Sequence, residues 1–145
     1  MTQEITRTEH SAPARQFTVL LSPTPRGARL ARLLAVAHLG DWGLPVESAA
    51  HLVAEMAANA VAHGRVRGRS FMLSVTVHRG RLLRVEVTDT RGDLLPPAPG
   101  TLEVPGGEAE SGRGLLIVEA LAHRWGVQAG PAPRKTVWAE IDLAP

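Results

Sequence analysis

The sequence predicts an α+β fold, a two-layer sandwich in which helices cover one face of a mostly antiparallel mixed sheet. Apolar residues recur with a period of two in some segments and with a period of about 3.6 in others, in the order β-α-α-β-β-loop-α-β-β. Short turns join two pairs of successive strands, and strands joined in this way run antiparallel. The helices must then stack on one face of the sheet to bury their apolar sides.

The length and composition of the chain are those of one globular domain. The chain has 145 residues, of which 44% are hydrophobic and 21% charged. Cysteine is absent, which excludes disulfides and thiolate metal sites. Residues 1–14 have no apolar period and are expected to form a flexible arm, with a single domain over 15–145.

The first half of the chain predicts a strand, two helices and a hairpin. Alternation predicts a strand from Phe17 to Leu21, which Pro23 and Pro25 end. The helical period predicts a helix from Ala28 to Leu39 and a second from about Pro45 to His63, capped by Gly64. Two alternating segments around Arg79-Gly80, at 71–77 and 83–87, predict a β-hairpin.

The second half predicts a long loop, a helix and a second hairpin. Residues 90–111 are rich in proline and glycine, and a loop of this length inside a small domain is typical of a lid or binding loop. Gly112-Arg113-Gly114 opens an apolar helix from Leu115 to Ala122. Strands at 125–128 and 136–143 follow.

The second helix carries a polar stripe beside its apolar arc. Glu55, Asn59 and His63 are spaced i, i+4, i+8, so their side chains lie in one row. A carboxylate and an amide oxygen about 6 Å apart along a helix suit a hydrated Mg²⁺. The alternatives are an interhelical hydrogen bond of Asn59, a solvated Glu55, and a His63 that only packs near the helix end.

Two further positions break the apolar pattern. Asp89 falls on the inward face of its strand, where it either caps the following turn or accepts from the amino group of a ligand. Gly112 and Gly114 would let an anion approach the start of a helix. The segment is not a Walker P-loop, because Arg113 and Gly114 stand where lysine and serine or threonine are required.

These motifs resemble those of GHKL ATPases, the superfamily of gyrase, histidine kinases and MutL. The segment from Glu55 to Gly64, EMAANAVAHG, resembles the N-box. Val85 to Asp89 resembles the strand of the first glycine box, and Gly112-Arg113-Gly114-Leu115 the second glycine box. The closing KTVWAE is similar to the last strand of the bacterial anti-sigma-factor serine kinase branch. The resemblance covers about residues 15–143 and implies a Bergerat-type ATP-binding fold.

The resemblance implies roles for individual residues. Glu55 would be the general base, Asn59 would hold Mg²⁺, and Asp89 would accept from the adenine amino group. The remaining nucleotide contacts would come from His63, Gly92, Gly112, Arg113, Gly114 and Leu115, with residues 90–111 as the ATP lid. Arg113 either adds charge at the phosphates or is an exposed lid arginine.

One position departs from the family pattern. The first glycine box usually has glycine two residues after its aspartate, whereas this chain has Arg91 there and Gly92 one place later. The adenine packing or the lid geometry is therefore expected to differ from that of the family.

The resemblance implies a regulatory kinase with protein partners. The protein would bind a sigma factor and phosphorylate an anti-sigma-factor antagonist with Mg-ATP, as a serine/threonine kinase acting in transcription regulation. The alternative is a non-catalytic, ATP-dependent protein-binding regulator. Homodimer formation is implied by resemblance only.

Other partner classes are disfavoured. The isoelectric point is high, but the net charge is only +2 and aromatic residues are scarce, so direct nucleic-acid binding is not expected. The apolar runs are far shorter than the roughly 20 residues that cross a bilayer. We therefore expect a cytoplasmic protein without a membrane partner.

Overall fold

A computed structural model gives the structure of residues 14–63, 66, 68–93, 95–96, 100 and 110–143, without the side chains of residue 14 and of residues 110–113. The arm expected at the amino terminus, the cap expected at Gly64 and most of the expected lid lie outside these residues. The strands are Ala14–Leu21 (β1), Phe71–His78 (β2), Leu82–Asp89 (β3), Arg124–Ala129 (β4) and Lys135–Asp142 (β5). The helices are Pro25–Asp41 (α1), Glu47–His63 (α2) and Glu110–Leu121 (α3).

The five strands form one sheet in the order β1-β2-β3-β5-β4, and each neighbouring pair is antiparallel. The two-layer α+β prediction is therefore confirmed, although the described sheet contains no parallel pair and is not mixed. Arg79 and Gly80 both have positive φ, 56° and 68°, which closes the predicted hairpin between β2 and β3 with a tight turn.

The core lies between the inward face of the sheet and the helices. Alternate residues of the central strands are buried and meet the apolar arc of α2. Helix α2 packs against α1 on one side and α3 on the other, and it contacts β3. The buried strand residues include Phe71, Leu73, Val75, Leu83, Val85, Val87, Val137 and Ala139.

Several element boundaries differ from the predictions. Helix α1 begins at Pro25, because Thr24 accepts a hydrogen bond from the Gly27 amide at 3.1 Å and proline suits the first helical position. Helix α2 begins at Glu47, two residues after the expected start. Helix α3 begins at Glu110, so Gly112-Arg113-Gly114 lies within its first turns and does not precede it.

The first predicted helix is less buried than its apolar period indicated. Ala31, Ala35 and Leu39 are in the core, whereas Leu30 and Leu33 are 43% and 56% exposed.

None of the helices in the described part of the chain is long and apolar enough to cross a membrane.

The outward face of the sheet carries a row of ion pairs across β3, β5 and β4. Glu140 accepts hydrogen bonds from Arg84 at 2.7 Å and Arg124 at 2.9 Å, and Arg124 also binds Asp142 at 2.6 Å. The Arg84 guanidinium lies 4.5 Å from the ring centroid of Trp138. These contacts link β3, β5 and β4 on the outward face of the sheet.

The Trp138 ring lies directly over the backbone of β4. A Cβ on Gly126 would lie 2.9 to 3.1 Å from three indole atoms of Trp138. We expect Gly126→Ala to lower the free energy of unfolding by about 1–3 kcal/mol, as overpacking does. Gly40→Ala is the control, because nothing lies within 4 Å of its Cβ position and it sits in a helix. Urea denaturation that gives both variants the same midpoint would contradict this packing.

The Glu140 carboxylate predicts a loss of stability in acid. Burial raises its pKa, but the hydrogen bonds from Arg124 and Arg84 outweigh this and hold the pKa below the ordinary value. A lowered folded pKa stabilises the fold above the unfolded pKa, and this contribution is lost as the pH falls below about 4.3. Glu140→Gln should cost about 1 kcal/mol at pH 7 and flatten the fall in stability between pH 5 and 3. Thermal unfolding across this range, with an unchanged slope in the variant, would refute the assignment.

Candidate functional site

The polar stripe on α2 lies at the border between core and solvent. Its apolar neighbours Ala49, Leu52, Val53, Met56 and Ala60 are all buried, as the helical period predicts. Glu55 keeps 26% of its side chain exposed. Asn59 is half-buried and His63, the last residue of the helix, is exposed. Helix α2 therefore fixes the backbone of Glu55 and Asn59 and places their side chains at the surface.

The glycine-rich start of α3 meets α2 at Glu55. A Cβ built on Gly114 would lie 3.4 Å from Glu55 Oε1 and 4.0 Å from the Glu55 carbonyl oxygen. The fold thus brings together two of the sequence-predicted motifs, which are far apart in the chain. Leu115, the next residue, is 4% exposed and belongs to the core, where it anchors α3. The Arg113 side chain and the phosphate contacts expected of Gly112 lie beyond what the structure describes, and they stay predictions.

A histidine that the sequence pattern did not single out lies beside Glu55. His51 Nε2 lies 3.4 Å from Glu55 Oε2, one helical turn earlier on the same stripe. The i, i+4 spacing was the signal that could have found it. His51 is half-exposed, so it lies beside one carboxylate oxygen of Glu55 without closing the surface around it.

The Asn59 side chain makes no hydrogen bond to another described residue, so the interhelical bond is not found in this part of the chain. Its amide oxygen and the Glu55 carboxylate lie one turn apart and are both open to solvent. Such oxygens fit a hydrated Mg²⁺. The described residues hold no cluster of three or more His, Cys, Asp or Glu side chains, so a cation here would also need oxygens from a ligand. The residues present therefore fit a magnesium–phosphate group.

Asp89 points inward, as the strand period predicts, and both of its carboxylate oxygens have partners. Oδ1 accepts a hydrogen bond from the Arg91 amide at 2.8 Å, which is the predicted cap of the following turn. Oδ2 lies 3.4 Å from Lys135 Nζ. A site role for Lys135 was not predicted from the sequence, although the alternation of β5 places it on the inward face.

The turn after β3 is closed by several contacts. Arg91 donates to both oxygens of Asp93 at 2.9 and 2.8 Å, and its hydrogen bond lowers the Asp93 pKa to about 2. The Gly92 amide donates to the Pro133 carbonyl oxygen at 2.8 Å. A Cβ at Gly92 would lie 2.9 Å from the carbonyl oxygens of Pro133 and Arg134. This close approach requires glycine at 92, and the nucleotide contact expected there stays a prediction.

A cavity of about 500 Å³ lies between this turn and the turn that joins β4 to β5. The Thr90 hydroxyl on its wall is buried and has no partner among the described residues. No residue of α2 contributes to its wall, so the cavity is separate from the Glu55–Asn59 stripe. The lining residues are Thr90, Gly92, Asp93, Ala129, Gly130, Ala132, Pro133 and Arg134.

Comparisons with solved structures give the same fold. The chain is similar to the RsbU and RsbW domains of Rv1364c from Mycobacterium tuberculosis, with a TM-score of 0.67 and 20% identity over 91% of this chain and 33% of that one. It is also similar to a chain of the SiaB–SiaC complex from Pseudomonas aeruginosa, with a TM-score of 0.57 and 10% identity over 97% and 98% of the two chains. The chain thus spans a third of the length of the first of these structures. At these identities the similarity shows the fold alone.

Sequence comparison identifies the family. No curated protein matches the chain. Residues 21–141 match the family described as the histidine kinase-like ATPase domain. This range contains the α2 stripe, the end of β3, the start of α3 and most of β5. Because the match covers most of the chain, the protein belongs to the family of histidine kinase-like ATPase domains.

Proposed function

We propose that the protein binds ATP with Mg²⁺ and acts as a regulatory serine/threonine kinase of the anti-sigma-factor type. In this role it holds a sigma factor and phosphorylates the antagonist of that interaction. The approach of Gly114 to Glu55 carries the proposal, because it puts a carboxylate beside the start of a glycine-containing helix in a chain of this family. The first four backbone amides of this helix, which precede Gly114, have no carbonyl partner within the helix and favour an anion such as a phosphate.

Each residue of the site has a defined part in the proposed reaction. Bound ATP would supply the phosphoryl group, and Mg²⁺ would neutralise its charge. Asn59 would offer its amide oxygen to the metal. The Glu55 carboxylate would accept the proton of the serine or threonine hydroxyl that is phosphorylated. His51, 3.4 Å from Glu55 Oε2, would hold the carboxylate in one orientation.

The structural neighbours support protein partners for this chain. One neighbour contains an RsbW domain, and the other was solved as a complex of SiaB with SiaC. A sigma factor and an anti-sigma-factor antagonist are the partners that this resemblance favours.

A second candidate function is a non-catalytic regulator that holds a partner only when ATP is bound. The observation that favours it is Arg91, which stands two residues after Asp89 where the resemblance leads us to expect glycine, and whose guanidinium is bound to Asp93. A site changed in this way would keep nucleotide affinity and lose turnover.

The magnesium role of Asn59 can be tested by binding. Asn59→Ala should weaken Mg-ATP binding about tenfold or more and leave the weaker, magnesium-free binding unchanged, because only a metal ligand is removed. Calorimetric titration with and without Mg²⁺ measures both. Gln128→Ala is the control, since it removes an exposed amide from β4. Equal losses with and without Mg²⁺ would show that Asn59 does not act through the metal.

The base role of Glu55 can be tested by turnover. Glu55→Gln should keep ATP affinity and lower phosphorylation of a panel of anti-sigma antagonist proteins by about 10²–10⁴. Glu47→Gln is the matched control, because it changes an exposed glutamate of the same helix. Phosphoserine and phosphothreonine are measured by mass spectrometry. ATP binding by the wild type without transfer to any protein of the panel would favour the non-catalytic regulator.

A further inference from the structure

Asp89 and Lys135 form a buried ion pair at one end of the sheet. They are register partners on the antiparallel strands β3 and β5, and their side chains are 5% and 2% exposed. Lys135 is the only lysine in the chain. Burying an ammonium costs folding free energy unless an acceptor compensates for its lost hydration. Removing either residue of the pair would therefore leave the other as an unpaired buried charge.

The same ammonium also closes the turn that follows β3. Lys135 Nζ donates to the Arg91 carbonyl oxygen at 3.2 Å, while the Arg91 amide donates to Asp89 Oδ1 at 2.8 Å. The backbone of Arg91 is therefore bound on both sides. The pair lies where β3 ends, directly before segment 90–111. Its carboxylate, Asp89, is the one expected to meet the adenine.

The contacts fix the direction of the Asp89 carboxylate. Oδ1 is bound to the turn and Oδ2 faces the ammonium, so rotation about the terminal bond would break both contacts. Each carboxylate oxygen has two lone pairs, so each can still accept one more hydrogen bond. The ammonium itself is almost fully buried and acts through Asp89.

We propose that Lys135 is a positioning residue that orients Asp89 to accept a hydrogen bond from the amino group of a purine base. This inference rests on the proposed ATP binding. In this proposal the Asp89–Lys135 pair distinguishes purine bases by their amino group. Lys135 sets the direction in which the Asp89 carboxylate accepts the hydrogen bond.

The test compares two nucleotides that differ only in the amino group. Mg-ATP and the magnesium complex of purine riboside triphosphate, which lacks the 6-amino group, are titrated into the wild type, Lys135→Met and Lys135→Arg. The wild type should prefer ATP about tenfold or more, as expected for a hydrogen bond to a charged acceptor. Lys135→Met should reduce this preference to less than about threefold, and Lys135→Arg should restore most of it.

A merely structural lysine gives a different result. If Lys135→Met weakens both nucleotides equally and keeps the wild-type preference, the proposal is wrong. Arg81→Met, which removes an exposed cation from the β2–β3 turn, is the control and should keep the preference. Lys135→Gln, which removes the charge and keeps a polar group in the buried site, serves if Lys135→Met does not fold. It should also lose the preference, and retention of the preference would overturn the proposal.

The outcomes also separate this inference from the proposed function. A folded wild type that binds neither nucleotide would overturn ATP binding and the role of Lys135 together. A wild type that binds ATP, with a preference that Lys135→Met leaves unchanged, would overturn the role of Lys135 alone.

Discussion

The packing of α2 against the sheet is the constraint on which the rest of the structure depends. In the described part of the chain the helices cover one face of the sheet, so the apolar arc of α2 is buried there, against β3 and between α1 and α3. That burial fixes the rotation of the helix. It therefore also fixes the polar stripe, which emerges at the edge of the core with Glu55 facing the start of α3.

The candidate site consists of residues on rigid helices and of the close approach of Gly114 to Glu55. Glu55 and Asn59 are carried by a helix, so their positions follow from packing that is independent of any ligand. Gly114 leaves room beside the Glu55 carboxylate that a larger side chain would fill. Leu115, one residue later, is buried and keeps α3 at this distance. The first turns of α3 therefore lie beside the Glu55 carboxylate because buried residues of both α2 and α3 pack into the core.

The end of β3 shows how the chain accommodates its departure from the family pattern. Where the family usually has glycine, Arg91 is bound through its amide to Asp89, through its carbonyl to Lys135 and through its side chain to Asp93. Gly92 then lies against the carbonyl oxygens of the β4–β5 turn. The turn is therefore held by hydrogen bonds from both its backbone and its side chains.

Periodicity alone determined the fold class, the two hairpins, the polar stripe and the inward direction of Asp89, because each follows from the spacing of residues along one element. Helix starts were less predictable: capping by Thr24 extended α1, and α3 began several residues before Leu115. The contacts between elements belong to the tertiary structure. Neither the approach of Gly114 to Glu55 nor the burial of Lys135 against Asp89 can be derived from sequence spacing, because strand register and helix packing decide which distant residues meet.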